Sequence, residues 1–162
     1  MKDAWPEPVE RVAAFLREAG AEARIEQFED EAASAKAAAE AIGCTLDQIV
    51  KSIVLVCDGE PVLALIPGDR RGDMAKVAEL LGAADVRVAT AEEVVAATGF
   101  TPGGVAPFPL PKVRRVLVER MLLSSPLVWV GAGSERHLAA LSPLELLRLT
   151  RGDAVDLVQE SA

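Results

Sequence analysis

Lys51 stands immediately before the apolar run SIVLVC, at the point where a short turn feeds a strand. Pockets often form at strand ends, and an ammonium on a flexible stem brings a point charge there to a phosphate or carboxylate. The alternative is a solvated lysine whose stem lies along apolar surface. A second candidate is TPGGVAPFPLPK, residues 101–112, with two adjacent glycines and then three prolines in five positions. No helix or central strand can run through such a stretch. Gly103, Gly104, Val105, Ala106 and Pro107 either turn bare N–H and C=O groups toward a ligand or form a stiffened surface loop. Third is Gly131-Ala132-Gly133-Ser134, read as a glycine loop after the strand LVWV. It lacks the full GxGxxG pattern and a following helix, so it does not read as a dinucleotide site.

Other chemistry is missing. His137 is the only histidine, and no Cys, Ser or Asp motif singles it out as a base. Cys44 and Cys57 have no CxxC spacing and read as buried, reduced thiols, so neither a metal site nor a disulfide is expected. There is no GxSxG serine and no phosphate-loop lysine pattern. No cofactor is expected.

The elements that must position these residues follow from periodicity and caps. Residues 8–19 place Val9, Val12, Phe15 and Leu16 on one helical face, with Gly20 as the stop. ARIEQFE, residues 23–29, alternates as a half-exposed strand. Ser34 opens an alanine-rich helix to Ile42, with Gly43 as its left-handed cap, and Thr45 to Gln48 forms a capping box over one short turn. KSIVLVC and VLALIP pair as a hairpin across DGEP, both buried on two faces. Asp73 caps MAKVAELL, residues 86–88 form a brief strand, and Thr90 opens a helix ending at Gly99. RRVLVE, LVWVGAG and HLAAL are further strands, MLLSS a short helix or turn, and Ser142-Pro143-Leu144-Glu145 starts the terminal helix. Strands and helices interleave irregularly around a hairpin. The expected fold is therefore mixed α+β, a single domain over residues 1–162 with a mixed, largely antiparallel central sheet covered by helices.

Composition narrows the partners. With 162 residues, about half apolar and a quarter charged, the chain can bury one proper core. No apolar run approaches the ~18 residues of a membrane span, and MKDAWPEPVERV lacks the apolar core of a secretory signal, so a cytoplasmic location without membrane contact is expected. A formal net charge of −8 opposes extended nonspecific binding to nucleic acid. Local basic clusters remain at Arg70-Arg71 and at Lys112, Arg114 and Arg115.

The ordered fragments IVKSIVLVCDGEPVLALIPGD, TGFTPGGVAPFPL and GAGSERHLAALSPLELLRLT resemble the YbaK and prolyl-tRNA synthetase editing-domain family over nearly the whole chain. The resemblance implies hydrolysis of mischarged aminoacyl-tRNA, typically proline tRNA carrying alanine or cysteine, with serine and threonine esters cleaved by related members. It makes Lys51, in the run Val50-Lys51-Ser52, the hallmark lysine, and Gly103 to Pro107 the loop that contacts the aminoacyl end by main chain. Lys51 and Gly103 would then be catalytic, and Ser52, Gly104, Val105, Ala106, Pro107, Gly131, Ala132 and Gly133 would line the substrate. Lys51 would hold the terminal nucleotide's phosphate or ribose while the glycine loop orients the carbonyl and a water. The implied partner is the acceptor end of an aminoacyl-tRNA, and a synthetase is a further one. Two rivals are a noncatalytic module that binds charged tRNA ends or a synthetase, and a hydrolase of small-molecule esters. Gly131 stands where some relatives have serine, and Glu119 where many have aspartate. Both departures bear on which amino acid is removed.

Overall fold

The structure is a computed structural model that describes residues 5–28 and 34–160. In chain order it contains α1 (Glu7–Glu18), β1 (Ala23–Gln27), α2 (Ala35–Ile42), β2 (Val50–Cys57), β3 (Glu60–Pro67), α3 (Met74–Leu81) and β4 (Val86–Val88). Then come α4 (Ala91–Thr98), β5 (Arg115–Glu119), β6 (Val128–Ser134), β7 (His137–Leu141), α5 (Pro143–Thr150) and β8 (Asp153–Val155). Single 3-10 turns lie at Leu46–Gln48, Pro102–Gly104 and Arg120–Ser124. Glu29, placed in the first strand by alternation, lies outside the described residues.

Caps explain most boundaries. Ser34 Oγ accepts from Ala37 N–H, and Asp73 Oδ1 accepts from both Ala75 and Lys76 N–H. Thr90 and Glu93 satisfy each other's backbone donors in a full capping box. Ser142 caps α5 in the same way, but the Glu145 carboxylate turns instead to Glu22 N–H and Arg148. That exchange ties α5 to the chain just before β1.

The strands form two sheets, not one central sheet. Three strands pair antiparallel in the order β1-β7-β6; five pair in the order β4-β2-β3-β5-β8, antiparallel as far as β3 and parallel thereafter. A parallel bridge between Ile49 and Trp129 joins them. The mixed, largely antiparallel character is as expected; the division into two arises because the strand pairing between the sheets, among the described residues, is that single bridge at Ile49, just before β2. The facing sides enclose the main core, where Val50, Val54, Leu63 and Leu65 meet Val128, Val130, Ala132 and Ala139, closed by Val12 and Leu16 of α1. Leu55, Val62, Ala64 and Ile66 leave the other face of the five-stranded sheet and bury against Val77 of α3 and Leu157. The hairpin is thus buried on both faces, as its apolar runs imply.

The terminal helix is not the last element. β8 adds a parallel edge to β5, and Gly72 bridges Val158. Glu119, only 1% exposed, accepts the backbone N–H of Met121 and of Leu157. Lys76 Nζ reaches Asp156 at 2.9 Å and the Val158 carbonyl at 2.6 Å, and Asp73 N–H donates to Leu157 O at 2.7 Å. Cys57 is buried, but Cys44 is only half-buried, which corrects the expectation for that thiol. Among the described residues no helix is long and apolar enough to cross a membrane, and no cluster of His, Cys, Asp or Glu could hold a metal.

Candidate active site

The 101–113 segment is not a surface loop. Gly104, Val105, Ala106, Pro107 and Phe108 are all buried, while residues 101–103 and 111–112 at its two ends reach solvent. Val105 and Phe108 each contribute about 1.5–3 kcal/mol by leaving water, enough to fix the segment's position. It lies against β6, where glycine permits main chain to touch main chain. A Cβ on Gly131 would collide with the Val105 carbonyl, and one on Gly104 would sit 2.8 Å from Ser134 Cα.

This contact closes a hollow of about 150 Å³. Pro102, Gly103 and Val105 form one wall, Gly131 and Leu138 a second, and Ile49, Val50 and Ser52 a third. Ser34, Ala35 and Ala38 of α2 complete it. Among the described residues no charged side chain, cysteine or histidine lines it. Ser34 Oγ already accepts the helix-capping bond, whereas Ser52 Oγ is buried with no partner among the described residues. A buried hydroxyl left in this state costs about 1–3 kcal/mol, so it is poised to bond to whatever enters. The hollow offers main chain, one hydroxyl and small apolar faces. It can bind and orient a small group, and among the described residues its lining includes no general base.

The expected site residues divide accordingly. Ser52, Gly103, Val105 and Gly131 are brought together around the hollow. Gly104 and Ala106 are buried behind its wall, and Ala132 is in the main core. Gly133, with φ 105°, packs on the backbone of Pro8 and Val9 and does not face the hollow. Pro107 lines a separate, larger cavity. The glycine stretch is also not a loop after the strand, because β6 continues through it to Ser134 with a register shift between Gly131 and Ser134.

Lys51 does not line the hollow. Successive strand residues point to opposite faces. Val50 and Ser52 face the hollow, so Lys51 leaves the other side of β2, where its ammonium donates to Arg70 O at 2.8 Å. It does not face Gly103 across the hollow. It instead holds the 68–71 loop, which touches the same corner from behind: a Cβ on Gly68 would lie 3.0 Å from Ala35 Cβ.

Sequence reasoning missed the α2 wall because Ala35 and Ala38 read simply as close helix packing; the signal was the absence of any large side chain on that face. His137 is 2% exposed, bonded through Nδ1 to Ser134 Oγ at 2.5 Å, with its ring edge-on to Trp5 and its Nε2 unpartnered in the described residues. Burial, and secondarily the charge of Arg136, pushes its pKa below the usual imidazole value. Of the basic cluster, Lys112 approaches Ala96 O at 3.5 Å and Arg115 pairs with Asp153.

Residues 29–149 match the aminoacyl-tRNA editing domain family. The proline–tRNA ligase of Nitratidesulfovibrio vulgaris is 38% identical over 116 residues, covering 71% of this chain and 19% of the ligase. The chain spans about a fifth of the length of the first curated ligases it matches. The uncharacterised protein YwhH of Bacillus subtilis is 32% identical over 123 residues, 75% of this chain and 78% of that one. A solved structure described as a candidate trans-editing enzyme for prolyl tRNA synthetase superposes with a TM-score of 0.91 at 34% identity, covering 97% of this chain and all of the other. With three quarters of its length matched and a near-complete structural overlay, the chain belongs to the aminoacyl-tRNA editing domain family.

Proposed function

We propose that the chain is a trans-editing deacylase that removes a small amino acid, alanine or cysteine, from mischarged proline tRNA, with serine and threonine esters as poorer substrates. One observation carries this reading: the hollow of about 150 Å³ is closed by main chain at Gly103, Val105 and Gly131 and by alanines of α2, leaving room for a short side chain. In the reaction, water adds to the ester carbonyl, the carbonyl carbon parts from the ribose oxygen, and that oxygen leaves with a proton. With no side-chain base lining the hollow among the described residues, rate comes from holding the ester and a water in register, and the Ser52 hydroxyl supplies one fixed hydrogen bond.

Lys51 keeps the phosphate-holding role that the resemblance implies. Its ammonium is set at the 68–71 loop, on the far side of β2 from the aminoacyl group, where it meets the terminal nucleotide's phosphate as the tRNA end crosses the strand edge. Size selection of this kind is coarse, since one methylene is worth about 1–3 kcal/mol, so overlap among small side chains is expected. A synthetase partner would supply the mischarged tRNA.

The deciding experiment is a deacylation panel on proline tRNA charged with Ala, Cys, Ser, Thr and Pro. Cleavage of the alanine and cysteine esters, with the cognate proline ester spared, is expected. Tight binding of an aminoacyl-adenosine analogue without turnover of any ester would replace the deacylase by a binding module.

A further inference from the structure

We infer that the large cleft between α1, α4 and residues 107–113 is a second binding site, built for the base and phosphate of a nucleotide. Its volume is about 570 Å³, inside the ~300–1,000 Å³ range of small-molecule sites. Acidic residues outnumber basic ones 25 to 17 in the chain, yet among the described residues no Asp or Glu lines this cleft, while Arg11, Lys112 and Arg151 all do. The departure from the overall charge is local and selects an anion.

The three cations are held differently. Arg11 is preorganised: Nη2 donates to Gly99 O at 2.9 Å, the guanidinium lies 4.6 Å from the Phe100 ring centroid, and its buried Nε has no partner among the described residues. Lys112 has only a long contact to Ala96 O, so its ammonium can swing to a ligand. Arg151, in the left-handed conformation after α5, is exposed. Glu93 shares a neighbouring hollow with Lys112, but Arg87 engages it at 2.6 Å.

The rest of the lining suits a flat ring. Phe15 stacks on Phe108 with centroids 5.3 Å apart and planes 16° apart, and Pro107, Pro109 and Pro111 add faces with no N–H to satisfy. Aromatic faces beside guanidinium and ammonium groups are the chemistry by which proteins hold unpaired nucleotides. The cleft and the hollow are walled by one ribbon. Val105 lines the first site and Pro107 the second, two residues and at most ~7 Å of chain apart. The source of the nucleotide is either a free mononucleotide or, resting on the proposed function, a residue of the tRNA whose terminus occupies the hollow.

The test uses the full chain. Nucleoside 5′-monophosphates are titrated while the phenylalanine ring signals are followed by NMR; with four phenylalanines and no tyrosine, those of Phe15 and Phe108 are readily assigned. Both should shift, and Lys112→Glu and Arg151→Asn, the second compatible with left-handed backbone, should each weaken binding tenfold or more. In parallel, KM is compared for aminoacyl-tRNA and for a 3′-aminoacyl-adenosine. A rise in the variants for the tRNA alone assigns the cleft to the tRNA strand, while nucleotide binding with both KM values unchanged assigns it to a free mononucleotide. Unshifted rings together with unchanged KM values overturn the inference. If the wild type cleaves neither ester, the deacylase reading falls, and the nucleotide titration still decides the cleft.

Discussion

Replacing Gly131 by alanine tests the contact that shapes the hollow. Gly131 does not use positive φ, so alanine suits its backbone and the effect is steric. The added methyl meets the Val105 carbonyl oxygen and carbon and the Ala106 nitrogen, all backbone atoms of buried residues. Roughly 1 Å of separation is needed to restore van der Waals contact. Overpacking of this kind costs about 1–3 kcal/mol, and the entropy removed from the unfolded chain returns about 0.4–1 kcal/mol. The net is a loss of about 1–2 kcal/mol, or ~2–8 °C in Tm for a chain of this size. Activity should suffer more, because the displaced wall positions the ester, and a 1 Å misplacement costs on the order of 10²-fold in rate. Gly103→Ala is the stability control: the atoms nearest its methyl belong to the exposed Glu135 side chain, which can swing aside, so stability should hold to within ~0.5 kcal/mol. Thermal melts and single-turnover deacylation of Ala-charged proline tRNA provide both readouts. Equal stability and equal rates for the wild type and Gly131→Ala would show that this contact does not set the site.

Three further outcomes are expected. Lys51→Ala should abolish deacylation with the fold intact by circular dichroism, and a retained rate would remove the lysine from the mechanism. Ser52→Ala relieves an unpartnered buried hydroxyl, so Tm should stay level or rise while kcat/KM falls about tenfold or more; the scheme has no place for a variant that is both less stable and fully active. For His137, burial lowers the folded-state pKa below the unfolded value near 6.5, so its neutral form stabilises the fold above that pH. As pH falls below about 6.5 the unfolded chain takes up the proton first and stability declines; His137→Gln should flatten this slope in melts between pH 5 and 7.

Most element boundaries were legible because they rest on local chemistry. Ser34, Asp73, Thr90 and Ser142 cap helices where their side chains indicated, and Gly43 and Gly99 end helices in the left-handed conformation. The side on which Lys51 emerges was not legible, since β2 is apolar on both faces and alternation cannot rank two buried sides. Gly131 and Gly133 suggested a loop because glycine weakens strands, but here each glycine makes room for backbone from another element. β8 escaped notice because Asp-Ala-Val is short and starts on a polar residue, and its pairing, with Leu117 opposite Asp153, depends on a strand distant in the sequence. The α2 wall of the hollow belongs to the same class: only tertiary contact turns an alanine face into the side of a cavity.

The last described residues have a bearing on how this protein is prepared. The family match stops at residue 149, yet Leu157 O, Val158 and Gln159 N–H are stitched to Asp73, Gly72 and Arg71, next to the carbonyl that receives Lys51. A fragment trimmed to the matched boundaries would expose the β5 edge, strand the Glu119 carboxylate without its Leu157 donor and slacken the seat of the lysine. Expression designs that keep residues through 160 retain that clasp.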